Sequence, residues 1–129
     1  MAALELTEET LEKTIEGNSL VLIDFWAPWC GPCRHFAPVF EAAAARHADA
    51  VFAKVNTDEQ QKLAAMFEIQ SIPTLAIFRD QICVFAQPGA LQAQHLEEII
   101  QRVKALDMDD VRRQIGEKQA AAGGAGPSA

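Results

Sequence analysis

The cysteines at positions 30 and 33 are the side chains best suited to chemistry. They lie in the motif WCGPC, residues 29–33, directly after an apolar run and before a helix-like pattern. This position predicts that Cys30 stands at a helix N-terminus, where free N–H groups and the positive end of the helix dipole favour a thiolate. Cys33 then lies on the same helical face, within reach of a disulfide. Gly31 leaves Cys30 accessible, and Pro32 suits a first helical turn.

Two cysteines at this spacing also form half of many zinc sites, so metal binding is the alternative to redox chemistry. A zinc ion requires four ligands, and the remaining candidates form neither a second CxxC nor an HxxxH pair: Cys83, His35, His47 and His95. We therefore predict a redox-active pair and no metal site. We expect Cys83 to be a small buried apolar residue rather than a regulatory thiol, and the histidines to lie on helix surfaces.

Asp24 interrupts the apolar run VLIDFW six residues before Cys30. An ionised carboxylate is costly to bury, so we expect its pKa to be raised. An acid beneath the cysteines can accept the Cys33 proton and return it; the alternative is a structural aspartate held by backbone N–H groups. Lys54 is the only charge in the apolar run 51–55. Either an ionic partnership with Asp24 or a solvent-facing position fits this lysine.

The elements that must position these residues follow from the hydrophobic pattern. Residues 20–26 are apolar on both faces apart from Asp24, which is typical of a central strand covered by helices on both sides. Strands and helices alternate around it, which indicates an α/β fold with a mixed sheet between helices. The predicted elements are an edge strand at 4–6, helix 8–16 capped by Thr7, a helix from the cysteines to about residue 47 containing Pro38, strand 51–55, helix 59–67 with Leu63 and Met66 inward, hairpin strands 74–78 and 82–85, and helix 92–106.

The length of 129 residues suits a single domain, which we predict to span residues 1–106. Residues 107–129 then form a C-terminal extension. Its first part, 107–119, fits a weak amphipathic helix that uses Met108, Val111 and Ile115. Its last part, 120–129, is rich in Ala and Gly and predicts a flexible tail.

The composition is that of a soluble globular protein, with 50% hydrophobic and 22% charged residues. A net charge of −7 without a basic run disfavours nucleic acid or an acidic membrane as a partner, and no segment approaches the ~20 apolar residues of a membrane span. Five glutamates against one lysine in the first twenty residues do not fit a secretory signal. If residue 1 is the natural start, we expect a cytoplasmic location, where reducing conditions favour a catalytic CxxC.

The chain from about residue 4 to residue 106 resembles thioredoxin. The resemblance rests on the stretch VLIDFWAPWCGPC, followed in order by KVNTDE, SIPTLAIF and PGA. It implies the thioredoxin fold, a central mixed β-sheet flanked by four helices. It also implies four catalytic roles: Cys30 as nucleophile, Cys33 as resolving thiol, Asp24 as proton-transfer acid and Lys54 as the residue that tunes Asp24.

The resemblance further implies a shallow apolar groove for substrates beside the dithiol. From the residues alone, Ile72–Pro73 fits either an ordinary trans turn or a cis peptide; the resemblance implies cis. The implied groove comprises Trp29, Gly31, Pro32, Ile72, Pro73, Gly89 and Ala90. The chain departs from the family pattern at three places: Arg34 stands where Lys is usual, Glu68 where Gly is common, and the hairpin turn at 79–81 lacks its usual Gly.

The function implied is the reduction of protein disulfides by dithiol–disulfide exchange, as part of cellular electron transport and redox homeostasis. A thioredoxin reductase would restore the dithiol, and we expect a monomer that needs no cofactor. A first alternative function is that of a disulfide isomerase or oxidase, which would belong to an oxidising compartment and is disfavoured by the missing secretory signal. The alternative from another class is a binding module or accessory subunit with the same fold, in which the cysteines are dispensable.

Overall fold

The computed structural model describes residues 3–124 and follows the predicted alternation of strands and helices. β2 has the predicted bounds, while β5 continues beyond residue 85 to Pro88. No helix within the described residues is long and apolar enough to cross a membrane. In chain order the elements are β1 Leu4–Glu5, α1 Leu11–Gly17, β2 Leu20–Trp26, α2 Gly31–Arg46, β3 Val51–Asn56, α3 Gln61–Met66, β4 Thr74–Arg79, β5 Ile82–Pro88, α4 Ala93–Lys104 and α5 Met108–Gly124.

The five strands form one mixed sheet in the order β1-β3-β2-β4-β5. β2 lies in the centre, parallel to β3 on one side and antiparallel to β4 on the other. β1 pairs with β3 as a parallel edge strand of two residues, and β5 forms the opposite edge. The predicted mixed sheet is therefore confirmed, and its most protected strand is the one that leads into the cysteine motif.

Alternate side chains of β2 divide the core between the two faces of the sheet. Leu20 and Leu22 face the side of α2 and α4. Val21, Ile23 and Phe25 face the side of α1 and α3. Their helical partners are Phe36, Phe40, Leu96 and Ile100 on the first side and Leu11 and Leu63 on the second. Because helices cover both faces, a continuous apolar strand is stable here.

Two predictions about the helices on the second face are wrong in detail. α1 begins at Leu11 rather than at residue 8, because threonine hydroxyls hold the preceding residues in a turn. The Thr7 N–H donates to Thr10 Oγ1 at 2.9 Å. In α3, Met66 is 64% exposed rather than inward. Phe67 takes the inward position instead, with its ring centroid 5.3 Å from that of Phe25.

The turns that lack the family's glycines adopt a left-handed backbone. Glu68 has φ 54°, and the β4–β5 turn has φ 51° at Asp80 and φ 70° at Gln81. Positive φ at both central residues is the geometry of a two-residue type I′ hairpin turn, which matches the twist of the strands and favours Asn-Gly. A side chain in this region costs about 1 kcal/mol per residue, so these turns are mildly strained.

The C-terminal extension begins as a helix docked on the domain. The Asp107 carboxylate accepts two backbone N–H groups at the start of α5, at 3.1 and 3.2 Å. Met108 is 5% exposed, and Arg112 Nη1 lies 3.6 Å from Asp80 Oδ2 in the hairpin turn. α5 continues past residue 119, where we expected a flexible tail to begin, and residues 125–129 of that tail lie outside the described residues. The domain boundary at residue 106 stays a prediction.

The histidines divide into two exposed side chains and one buried one. His35 and His95 lie exposed on helices, as predicted. His47 is only 6% exposed, so the prediction of a surface position is wrong. It follows the last residue of α2, where its Nε2 lies 2.6 Å from Glu97 Oε1 and its Nδ1 lies 2.8 Å from Lys104 Nζ. Both partners belong to α4, so the buried imidazole ties the two helices of this face together.

Candidate active site

The cysteine motif lies between the end of β2 and the first turn of α2. β2 ends at Trp26, and α2 begins at Gly31 with Pro32 in its first turn. Cys30 is the N-cap residue, and its Sγ accepts the Cys33 backbone N–H at 3.1 Å. The sulfur therefore meets the positive end of the helix directly, as the sequence predicted.

Cys30 and Cys33 are joined in a disulfide, with 5.2 Å between their Cα atoms. They are 3% and 2% exposed, and they pack with Ala27, Trp26 and Ile72 in a small cluster at the end of the sheet. The spacing of three residues thus brings the two sulfurs together on one helical face.

The Ile72–Pro73 peptide is cis, as the resemblance implies. The Ile72 carbonyl oxygen lies 3.8 Å from Cys30 Sγ, so this backbone faces the disulfide directly. The Gly89 N–H donates to the Pro73 carbonyl at 2.8 Å, and Gly89 has φ 107°. Because a side chain would strain that conformation, glycine lets the loop close against Pro73. The structure therefore brings Ile72, Pro73 and Gly89 to the dithiol end of the sheet.

Trp29, the first residue of the motif, is the most exposed large apolar side chain of the described residues, at 67%. Its Nε1 donates to Asp58 Oδ2 at 3.0 Å, which fixes the indole at the rim of the site. Asp58 contacts the site through this bond, and the sequence did not single it out. It lies in the KVNTDE segment that carries the resemblance, but a side-chain contact between the segments that follow β2 and β3 has no signature in sequence. Pro32 and Ala90 are also exposed at this end of the domain.

Asp24 is completely buried, and neither carboxylate oxygen has a hydrogen-bond partner among the described residues. The alternative of an aspartate satisfied by backbone N–H groups is therefore wrong. Burial raises the pKa of Asp24 to about 7, and the nearby Lys54 opposes the rise. Asp24 shares a face of β2 with Trp26, which packs against the two cysteines. A carboxyl whose pKa is raised to about 7 thus lies on the same face of β2 as the residue that packs against the disulfide.

Lys54 pairs in register with Asp24 across β2 and β3. Its side chain is half-buried, and Nζ lies 4.5 Å from the centroid of the Trp26 ring. Lys54 is thus neither fully buried nor wholly solvent-facing, and its partnership with Asp24 stays a prediction. The ammonium rests over an aromatic face, which is electrostatically favourable, and its positive charge lowers the pKa of the buried carboxyl.

Cys83 is exposed, so its prediction as a buried apolar residue is wrong. A bulge in the β4–β5 pairing explains the position, because Ile77 pairs with Phe85 while Phe78 pairs with Cys83. The extra residue lets Val84 and Phe85 both pack on the α2–α4 side. Among residues 3–124, no three His, Cys, Asp or Glu side chains gather in a group that would hold a metal ion.

The family model for thioredoxin matches residues 2–102. The chain belongs to the thioredoxin family. It is 52% identical over 122 residues to "Putative thioredoxin 2" of Streptomyces coelicolor, covering 95% of this chain and 91% of that protein. It is 42% identical over 106 residues to a thioredoxin of Alicyclobacillus acidocaldarius, covering 78% and 100%.

Solved thioredoxin structures have the same fold. A mutant thioredoxin from Halobacterium salinarum matches with a TM-score of 0.75 at 34% identity, covering 81% of this chain and 93% of that chain. Plasmodium falciparum thioredoxin matches with a TM-score of 0.73 at 31% identity, covering 78% and 98%. The predicted thioredoxin fold is therefore confirmed. With the Cys30–Cys33 disulfide, the family establishes a thiol–disulfide oxidoreductase of the protein-disulfide reductase type, and the binding-module alternative is not favoured.

Proposed function

We propose that Cys30 is the nucleophile and Cys33 the resolving thiol of this protein-disulfide reductase. The Cys30 thiolate attacks one sulfur of a substrate disulfide and expels the other as a thiolate, which leaves a mixed disulfide. Cys33 then attacks Cys30 Sγ, and the second substrate thiol departs. The substrate gains two electrons, and the protein is left with the Cys30–Cys33 disulfide. The N-cap position of Cys30 carries this assignment, because its Sγ accepts the Cys33 N–H at 3.1 Å.

Asp24 is the proton acceptor for Cys33 in this scheme. As Cys33 attacks the mixed disulfide it must lose its proton, and a buried carboxyl with a pKa of about 7 is matched to that transfer near neutral pH. Reversing the reaction returns the same proton. Lys54 tunes this acid, because its positive charge stabilises the carboxylate form. Its position in register beside Asp24 supports the role.

The docking groove for the substrate lies between the exposed indole and the cis-proline loop. Trp29 offers an apolar surface anchored by Asp58, and Ile72 lies directly beside the disulfide. Gly31, Pro32, Pro73, Gly89 and Ala90 complete the groove. A shallow apolar surface suits an extended segment of a protein substrate rather than one particular small molecule. A thioredoxin reductase uses the same surface to restore the dithiol, and the protein works as a cytoplasmic monomer.

The trapping of mixed disulfides tests the assignment of the cysteines. Cys33→Ser should accumulate covalent complexes through Cys30, because intramolecular resolution is fast and its loss strands the intermediate. Cys30→Ser should trap none. Non-reducing gels of each purified variant incubated with oxidised insulin measure the outcome, and the double-serine variant is the control for background. Equal trapping by both single variants would reverse the assignment, and insulin reduction by the double-serine variant would void it.

The kinetic test of Asp24 is the rate of the second step. Asp24→Asn should slow release of the reduced substrate near pH 7 by roughly 10²-fold, the lower end of general-base contributions, while the first attack by Cys30 keeps its rate. Rapid-quench measurement of mixed disulfide and product separates the two steps. Equal slowing of both steps would show that the asparagine disturbs the site as a whole.

A further inference from the structure

Three charged residues form a row across the sheet beneath the active site. Glu5 of β1 pairs in register with Lys54 of β3, and Lys54 pairs in register with Asp24 of β2. Residues paired in register project to the same face of a sheet, so the three side chains are neighbours. The order is carboxyl, ammonium, carboxyl. One positive charge therefore stands between two acids.

The face that carries the row is the one covered by α2. Leu22 of β2 and Phe52 of β3 belong to the core on the α2–α4 side, and the period of two places Asp24 and Lys54 on the same side. Burial falls steeply along the row. Asp24 is completely buried, Lys54 is half-buried and Glu5 is exposed. Glu5 is thus the end of the row that meets solvent.

The electrostatics of the two acids are linked through Lys54. Partial burial raises the pKa of Glu5, with Lys54 lowering it and the nearby carboxylates of Glu59 and Glu41 raising it. Glu41 is the charged side chain that α2 presents to this row; its Oε1 accepts the Ala3 N–H at 2.9 Å. Lys54 lowers the pKa of Asp24, while Glu41 and Glu5 raise it. Lys54 therefore lowers the pKa of both acids, and the charge of Glu5 raises the pKa of Asp24.

We propose that Glu5 is a positioning residue for the dithiol chemistry, which shares Lys54 with Asp24 and so helps to keep the buried carboxyl protonated. The inference rests on the proposed proton-transfer role of Asp24. Glu5 acts through the charge that it presents to Lys54, with which it pairs in register, rather than through contact with the cysteines or the groove. The edge strand thereby contributes to the pH at which the reductase works.

The expected size of the effect follows from the spacing of the strands. Two inter-strand steps separate Glu5 from Asp24 by roughly 10 Å, and at effective dielectric constants of ~40 to ~80 the direct effect of one charge at that distance shifts a titration by about 0.3 to 0.6 pH unit, to which the sharing of Lys54 adds. Glu5→Gln removes the charge and leaves Lys54 to Asp24 alone. The pH midpoint of the second step should therefore move to lower pH. Lys54→Gln should move it to higher pH.

The experiment measures the second step between pH 5 and pH 9 for wild type, Glu5→Gln, Lys54→Gln, the double variant and Asp24→Asn. Glu9→Gln is the matched control, because Glu9 is exposed and lies outside the row. The carboxyl carbon of Asp24, titrated by NMR in the oxidised protein, supplies a readout that does not depend on turnover. If Glu5 acts through Lys54, its shift should be smaller in the double variant, where only the direct charge effect is left.

The outcomes separate the two proposals. If the rate of the second step depends on pH in Asp24→Asn as it does in wild type, the proton-transfer role of Asp24 is refuted, and with it the basis of the inference. If this pH dependence is lost in Asp24→Asn but its midpoint in Glu5→Gln equals that in Glu9→Gln, the inference alone is overturned. An equal Glu5→Gln shift with and without Lys54 would also overturn it, because the lysine would then not be shared.

Discussion

The buried carboxyl makes a prediction about stability that can be tested without any substrate. The stability of the oxidised Asp24→Asn protein relative to wild type should be greater at pH 8 than at pH 4. Below the unfolded-state pKa of about 3.9, both states of wild type hold the proton and Asp24 imposes no penalty. As pH rises, the unfolded chain releases the proton while the native state retains it, so the free energy of unfolding falls. Above the native pKa of about 7 the loss is constant.

The magnitude follows from the displacement of the titration. A native pKa raised from 3.8 to about 7 is a shift of roughly 3 units, and each unit corresponds to about 1.4 kcal/mol, which gives about 4 kcal/mol at the upper limit. Asparagine cannot ionise, so the variant does not lose this free energy of unfolding. Its amide still loses hydrogen bonds to water on burial, but that cost is the same at both pH values. We define the stability gap as the difference in the free energy of unfolding between Asp24→Asn and wild type. Its change between pH 4 and pH 8 therefore reports the ionisation of the carboxyl alone.

Urea titrations of the oxidised wild type and Asp24→Asn at several pH values between 4 and 8 measure the gap. Glu12→Gln, at an exposed position of α1, is the control for removing one negative charge from an acidic chain. We expect the gap to widen by about 2 to 4 kcal/mol for Asp24→Asn and to stay within about 0.5 kcal/mol for the control. A gap that widens by less than about 1 kcal/mol would show that Asp24 is satisfied as a carboxylate, and its role as a general base would fall.

Three further predictions concern packing and turns, and urea unfolding measures all of them. Gln81→Gly should stabilise the fold by about 1 kcal/mol, because glycine adopts φ 70° without strain; a loss would contradict the type I′ turn. Met108→Ala should cost about 2 kcal/mol or more because the side chain is buried, whereas the exposed Met66 should tolerate the same change; equal losses would mean that α5 is not docked. His47→Ala should cost about 2 to 3 kcal/mol, since Glu97 and Lys104 lose a shared partner, and a neutral result would refute the tie between α2 and α4.

The sequence predicted best where a single pattern dictates the structure. β2 has the predicted bounds because only a strand buried on both faces explains seven consecutive residues of this composition. The same run located Asp24, since a carboxylate among apolar neighbours stands out without any knowledge of the fold. The position of Cys30 at the start of α2 follows from the proline that comes two residues later. These features are local, and local chemistry decides them.

The features that sequence missed depend on contacts between distant segments. Met66 and Phe67 both fit the inward face of α3, and only the packing of Phe67 against Phe25 decides between them. Cys83 is exposed because a bulge shifts the register of an edge strand, and a bulge is set by the partner strand. The burial of His47 depends on side chains fifty residues away on α4. No periodicity within one element records such pairings.

The central position of β2 has a consequence for how the domain opens in solution. Every residue from 20 to 25 is buried, and residues 21 to 25 pair with a strand on each side, whereas β1 is a two-residue edge. Amide hydrogens of β2 therefore exchange with deuterated water only when the whole domain opens, while those of β1 exchange through local fraying. The reactive turn is attached to the part of the chain that opens last. The edge can breathe while the disulfide stays in place.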